Sequence, residues 1–295
     1  MRKFISFTLV SFLIVIALTA FQINHPAPVT ATNYSEYMAK AHKNDLPIPT
    51  GIIAQAPKME VKGEMLTYGN IDGQPIMGYV STPVNAEKPL PGLIVIHEWW
   101  GLNDNIKMMT DRLAGEGYTA LAVDLYQGDV ADNPDEALKL VQRALGNTAP
   151  LENNLKQAYK YLSDYQNIMG ITEAPRVGSI GWCFGGLWSL NTALLLPDQL
   201  DATVIYYGGN ITTDPKKLMT LQMPILGIFG ELDQNPSVAL VKEFEQVLLA
   251  LGKEVEIHIY EKADHAFANS SGTRYNAEAA ESAWEKTTAF LAKYL

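Results

Sequence analysis

Val177-Gly178-Ser179-Ile180-Gly181-Trp182-Cys183-Phe184-Gly185-Gly186 decides the reading of this chain. An apolar run from Val177 to Ile180 leads into the turn, and a helix-like stretch from Leu187 to Leu196 follows it. Strand, sharp turn and helix around G-x-C-x-G make the pattern of a nucleophile elbow, with sulfur in place of the serine oxygen. Glycines two before and two after the central residue let the backbone turn and let strand and helix approach each other. Cys183 is the only cysteine of the chain. A free cysteine is usually a small buried hydrophobe, so its partners have to decide whether it is reactive.

Outward from the elbow, short apolar runs alternate with helical periods. Leu90 to Glu98, Thr119 to Leu125, Arg176 to Cys183, Ala202 to Tyr207, Pro224 to Gly230 and Val255 to Tyr260 read as strands. Asn103 to Gly117, Asn133 to Leu145, Pro150 to Met169, Gly185 to Leu196, Pro236 to Leu251 and Asn276 to Tyr294 read as helices. Asn133 is a cap with Pro134 at the first helical position. Met65 to Ile71 and Pro75 to Ser81 read as a hairpin around Asp72-Gly73. Such alternation predicts an α/β fold, a mostly parallel sheet with helices on both faces.

In a parallel sheet, reactive groups collect at the carboxyl ends of strands. Those ends carry His97-Glu98-Trp99-Trp100, Asp124-Leu125-Tyr126, Cys183, Glu231-Leu232-Asp233 and Asp264-His265-Ala266-Phe267. A thiol nucleophile needs a base, and the base needs a group that fixes its tautomer. His265 and Asp233 are the candidates, in the chain order nucleophile, acid, base. Glu231 competes with Asp233, and His97 and His258 compete with His265. The oxyanion donors expected are the backbone N–H of Phe184, at the start of the following helix, and that of Trp99. Trp100, Tyr126, Trp182 and Phe267 are candidate pocket walls.

The N-terminus reads differently. Arg2 and Lys3 precede an apolar run from Phe4 to Phe21. That is a secretory signal or a membrane anchor, long enough to span a bilayer. Cleavage sites are expected after Ala20 or after Ala31. Export to the periplasm or another extracytoplasmic place is therefore expected, with any membrane contact through residues 4–21. Thr32 to Gly63 is polar and proline-dotted, with Leu46-Pro47-Ile48-Pro49 in its middle. It reads as an extended lead-in with a short helix around Tyr34 to Lys43, before one domain over residues 64–295. The formal net charge is −10 and no basic cluster occurs, which argues against a nucleic-acid partner. There is no Walker A or dinucleotide fingerprint; neither a cofactor nor a metal is expected.

Gly181-Trp182-Cys183-Phe184-Gly185-Gly186, His97-Glu98-Trp99-Trp100-Gly101-Leu102-Asn103, Asp124-Leu125-Tyr126 and Asp264-His265-Ala266-Phe267 together resemble the dienelactone hydrolase (carboxymethylenebutenolidase) family. The resemblance runs from about Gly63 to the C-terminus. It implies an α/β-hydrolase fold without a large lid domain. It also implies a Cys183–His265–Asp233 triad and hydrolysis of a small ester or lactone through an acyl-thioester. Glu98 stands where the family's glutamate helps to control thiol ionisation. Two arginines that bind the dienelactone carboxylate are missing from their places, where Gln127-Gly128-Asp129 and Ala266-Phe267-Ala268-Asn269 stand instead. Arg143 and Arg274 remain as candidates to replace them in space. Acyl transfer through the same intermediate and a catalytically quiet envelope-binding module are the alternatives to hydrolysis.

Overall fold

The computed structural model describes residues 31–45, 55–86, 90–168 and 175–295. The apolar run at residues 4–21, the expected cleavage site after Ala20, and Leu46 to Pro49 lie outside the described residues; the site after Ala31 falls at the first residues of a helix. Among the described residues, eight strands form one sheet in the order β1-β2-β4-β3-β5-β6-β7-β8. Strands β1 (Val61–Ile71) and β2 (Gln74–Pro83) form the expected hairpin. Asp72 and Gly73 both adopt positive φ, at 52° and 83°, as a tight two-residue hairpin turn requires. Strand β2 pairs antiparallel with β4 (Thr119–Val123). From β4 onward the sheet is parallel, through β3 (Gly92–Ile96), β5 (Val177–Trp182), β6 (Ala202–Tyr206), β7 (Ile225–Gly230) and β8 (Val255–Tyr260).

Strands β3 to β7 are buried along their whole length. That explains why they read as unbroken apolar runs rather than as alternating patterns. The helices are α1 (Ala31–Ala41), α2 (Asp104–Ala114), α3 (Pro134–Gly146), α4 (Ala149–Ile168), α5 (Phe184–Leu195), α6 (Pro215–Leu218), α7 (Val238–Ala250) and α8 (Ala277–Tyr294). The side chain of Asn133 accepts from the Glu136 N–H and caps α3, as its sequence predicts. Helix α6 was not expected; four residues are too few to show a period, and its only signals are Asp214 as a cap and Pro215.

The chain passes from β3 outward to β4, then returns across β3 to β5. The connections therefore diverge near β3 and β5, and that is where an open parallel sheet leaves a crevice for ligands. Glu98 follows β3 and Cys183 follows β5, so both stand at this crevice.

The short helix expected around Tyr34 to Lys43 is present as α1, shifted a few residues toward the N-terminus. Helix α1 packs on α3, with Met38 fully buried. The turn after it carries His42 and Asp45 into the crevice, leaving His42 only 1% exposed.

Candidate active site

Cys183 sits between β5 and α5 with φ 58° and ψ −116°. That is a conformation that side chains other than glycine rarely adopt, and it presents the thiol away from both elements. The neighbouring glycines are required by close approach. A Cβ on Gly181 would lie 2.1 Å from the carbonyl oxygen of Gly185. One on Gly185 would lie 2.2 Å from that of Ile96, and one on Gly186 2.3 Å from that of Tyr206. The elbow is thus clamped against the ends of β3 and β6. Phe184 is the first residue of α5, so its N–H has no acceptor within the helix and sits at the positive end of the dipole.

Asp233 follows β7 and His265 follows β8. The Nδ1 of His265 lies 2.8 Å from Oδ2 of Asp233, and both residues are 1% exposed. The other Asp233 oxygen accepts from the Asn235 N–H at 2.8 Å. Burial disfavours the His265 imidazolium. The Asp233 and Cys183 charges and the Asp233 hydrogen bond outweigh that and hold its pKa well above the usual histidine value. With Nδ1 turned to Asp233, Nε2 is left facing the crevice, buried and without a hydrogen-bond partner among the described residues.

The competing residues are engaged elsewhere. The N–H of Leu125 donates to Nε2 of His97 at 3.2 Å, so Nδ1 of His97 donates to the Glu98 carbonyl at 2.6 Å. Burial also lowers its pKa, so His97 is a neutral brace between the ends of β3 and β4. His258 meets Glu256 on the outer strand β8. Glu231 is exposed and accepts from the Lys262 N–H.

Glu98 is 2% exposed, and burial raises its carboxyl pKa to about 7 against the opposing pull of His265 and Asn269. Asn269 donates to Oε2, while Oε1 has no partner among the described residues. Glu98, Trp99, Trp100, Cys183 and His265 line one narrow, partly open cavity of about 20 Å³. Tyr126, Trp182 and Phe267 do not line it. Tyr126 packs on His97 and Phe184 with ring centroids at 4.6 and 5.4 Å. Phe267 packs on Tyr207 and Tyr260. Trp182 faces a separate cavity with Arg112 and Trp284. All three are buried beside the site without lining its cavity.

Three residues not read from the sequence, Asn269, His42 and Asp45, join the site, with Arg274, one of the two arginines named as candidates. Arg274 lines the cavity, and its guanidinium pairs with Asp45 at 3.2 Å and Asp264 at 3.7 Å. Arg143, by contrast, pairs with Asp129 at 2.6 Å beside a different cavity. The ring of His42 lies 4.8 Å from that of His265 and 5.2 Å from that of Trp99. Asp45 meets Nδ1 of His42 at 2.6 Å. Burial, opposed by Asp45, lowers the His42 pKa and keeps the ring neutral.

The dienelactone hydrolase family model matches residues 76–295. The Usf protein of Aquifex pyrophilus is 35% identical over 241 residues, spanning 79% of this chain and 99% of that protein. A Saccharolobus solfataricus protein, provisionally named carboxymethylenebutenolidase, is 33% identical over 75% of this chain and 95% of its own. Among solved structures, a provisionally named dienelactone hydrolase of Klebsiella pneumoniae superposes with a TM-score of 0.69 at 28% identity, covering 80% of this chain and all of that one. A dienelactone hydrolase-like promiscuous phosphotriesterase from metagenomic libraries shares the fold, with a TM-score of 0.68 at 22% identity, covering 79% of this chain and 98% of that one.

Proposed function

The chain belongs to the dienelactone hydrolase family of α/β-hydrolase fold and is a carboxylic-ester hydrolase, and we propose that it cleaves a small ester or lactone through an acyl-thioester on Cys183. The observation that carries this reading is the paired, buried Asp233–His265 at 2.8 Å, whose free Nε2 faces the same cavity as the elbow thiol.

The chemistry then follows from the groups present. The Cys183 thiolate attacks the carbonyl carbon and a C–S bond forms. The carbonyl electron pair moves to oxygen, where the N–H groups of Phe184 and Trp99 receive it. As the pair returns, the C–O bond to the leaving alcohol breaks and His265 delivers the proton to that oxygen. Water then attacks the thioester, its proton passes to Nε2, and the thiolate leaves. Asp233 stabilises the imidazolium throughout. Glu98 lines the same cavity as the thiol, and its carboxylate can accept the S–H hydrogen bond in the resting enzyme. That would shield a resting thiol from oxidation in an oxidising compartment, in keeping with export directed by residues 1–31.

Reduced Cys183→Ala protein, assayed on small aryl esters against wild type, tests the reading. Loss of turnover to near background is expected; full retention excludes the mechanism.

A further inference from the structure

A water molecule needs roughly 10–15 Å³ of cavity. The cavity beside Cys183 is about 20 Å³, room for about one. Cys183 itself is only 3% exposed. The acyl part of any ester is several times larger, so the wall of this cavity has to move before a substrate can reach the sulfur.

Part of that wall is fixed: Trp99 and Trp100 are buried in the main core, and His265 is held by Asp233. Apart from the loop at residues 266–274, the rest of the wall is formed by His42 and Asp45. They belong to a segment that lies outside the part of the chain matching the family, and the cavity is closed by what that segment adds. His42 fills the mouth as a ring against His265 and Trp99. Its hold on the domain is partly polar. Arg274 donates to the carbonyl of Ala41, at the C-terminal end of α1, and pairs with Asp45 at 3.2 Å. One cation thus engages the negative end of the helix and the carboxylate that follows it. Met38, buried against the domain, is the apolar anchor of the same segment.

We propose that residues 31–45 form a lid over Cys183, with His42 as its plug and the Asp45–Arg274 pair as its latch, so that lid opening governs which molecules reach the thiol. His42 and Asp45 follow both candidate cleavage sites, so plug and latch stay with the protein whichever one is used.

The test reads access to sulfur rather than hydrolysis, and so does not depend on the reaction proposed above. Full-length protein, purified reduced, is alkylated at limiting reagent with iodoacetamide and with a bulky fluorescent maleimide. Modification of Cys183 is followed by intact-mass spectrometry, and near-ultraviolet circular dichroism checks the fold of each variant. Asp45→Asn and His42→Ala are each expected to speed labelling by the maleimide about tenfold, and labelling by iodoacetamide less. Raising the salt concentration should speed labelling of the wild type by screening the latch, and should leave Asp45→Asn unchanged. The salt arm needs no substitution, so it stands if a variant fails to fold. Wild-type labelling by both reagents as fast as free cysteine, or rates indifferent to salt and to both substitutions, would overturn the lid.

Discussion

His265 and Asp233 are 32 positions apart in sequence, yet Nδ1 and Oδ2 lie 2.8 Å apart in a site where each residue is 1% exposed. The pairing follows from the sheet: β7 and β8 are neighbours in parallel register, so the loops at their carboxyl ends emerge side by side. The carboxylate then holds the imidazole in the tautomer that frees Nε2.

Asp233→Asn should therefore lower kcat/KM by about a factor of 10² to 10⁴, because an amide neither stabilises the imidazolium nor enforces the tautomer. The same pair makes a linkage prediction. The folded-state pKa of His265 is raised. Its stabilisation is thus fully present below the unfolded value of about 6.5 and is lost as pH rises through the folded value. Urea melts at several pH values should show Asp233→Asn losing most stability, relative to wild type, on the acid side of that window.

Glu98 makes the opposite kind of statement from most carboxylates. Burial raises its pKa to about 7, so the folded state prefers the protonated form. Its contribution is present below the unfolded pKa of about 4.3 and is lost as pH rises through about 7. Ionised above that point, it costs the fold on the order of 3 kcal/mol, at about 1.4 kcal/mol per pKa unit. Glu98→Gln should flatten the stability–pH curve between these values and raise stability at pH 8. An unchanged curve in denaturant titrations would contradict the burial argument.

The elbow glycines allow a sharper structural test. Gly185→Ala places a methyl group 2.2 Å from the Ile96 carbonyl oxygen, backbone against backbone, with no flexible side chain to yield. A loss of about 3 kcal/mol or more is expected by chemical denaturation, at or above the upper end of the usual overpacking range. Gly128→Ala serves as the control. Its Cβ meets nothing within 4 Å, although its φ is +100°, so only local strain of about 1–2 kcal/mol should appear.

The parallel strands, the hairpin turn and the elbow were legible in the sequence because each is a local pattern. Apolar runs mark buried strands, Asp72-Gly73 supplies two positive φ angles, and G-x-C-x-G spaces its glycines by the geometry of one turn. Asp233 and His265 were legible by position, as polar residues just past strand ends. The rest of the site is non-local. Asn269 meets Glu98 across 171 positions and Arg274 meets Ala41 across 233, and no periodicity encodes such meetings. His42 and Asp45 lie at the end of the expected short helix, in a polar lead-in; only their spacing, with one turn bringing Nδ1 to the carboxylate, hints at a pair. The pocket aromatics Tyr126, Trp182 and Phe267 went the other way. Nearness to a strand end does not say which face a ring takes: none of the three lines the thiol's cavity, although Tyr126 is near enough to Cys183 to feel its charge.

The central claim is a covalent acyl group on sulfur. Wild-type protein, mixed with excess activated aryl ester and quenched in acid within milliseconds to seconds, should gain the mass of one acyl group, located to the peptide containing Cys183. His265→Ala should retain any such adduct far longer than wild type. Turnover of the ester with no acyl mass on Cys183 at any quench time, in wild type and His265→Ala alike, would contradict the account.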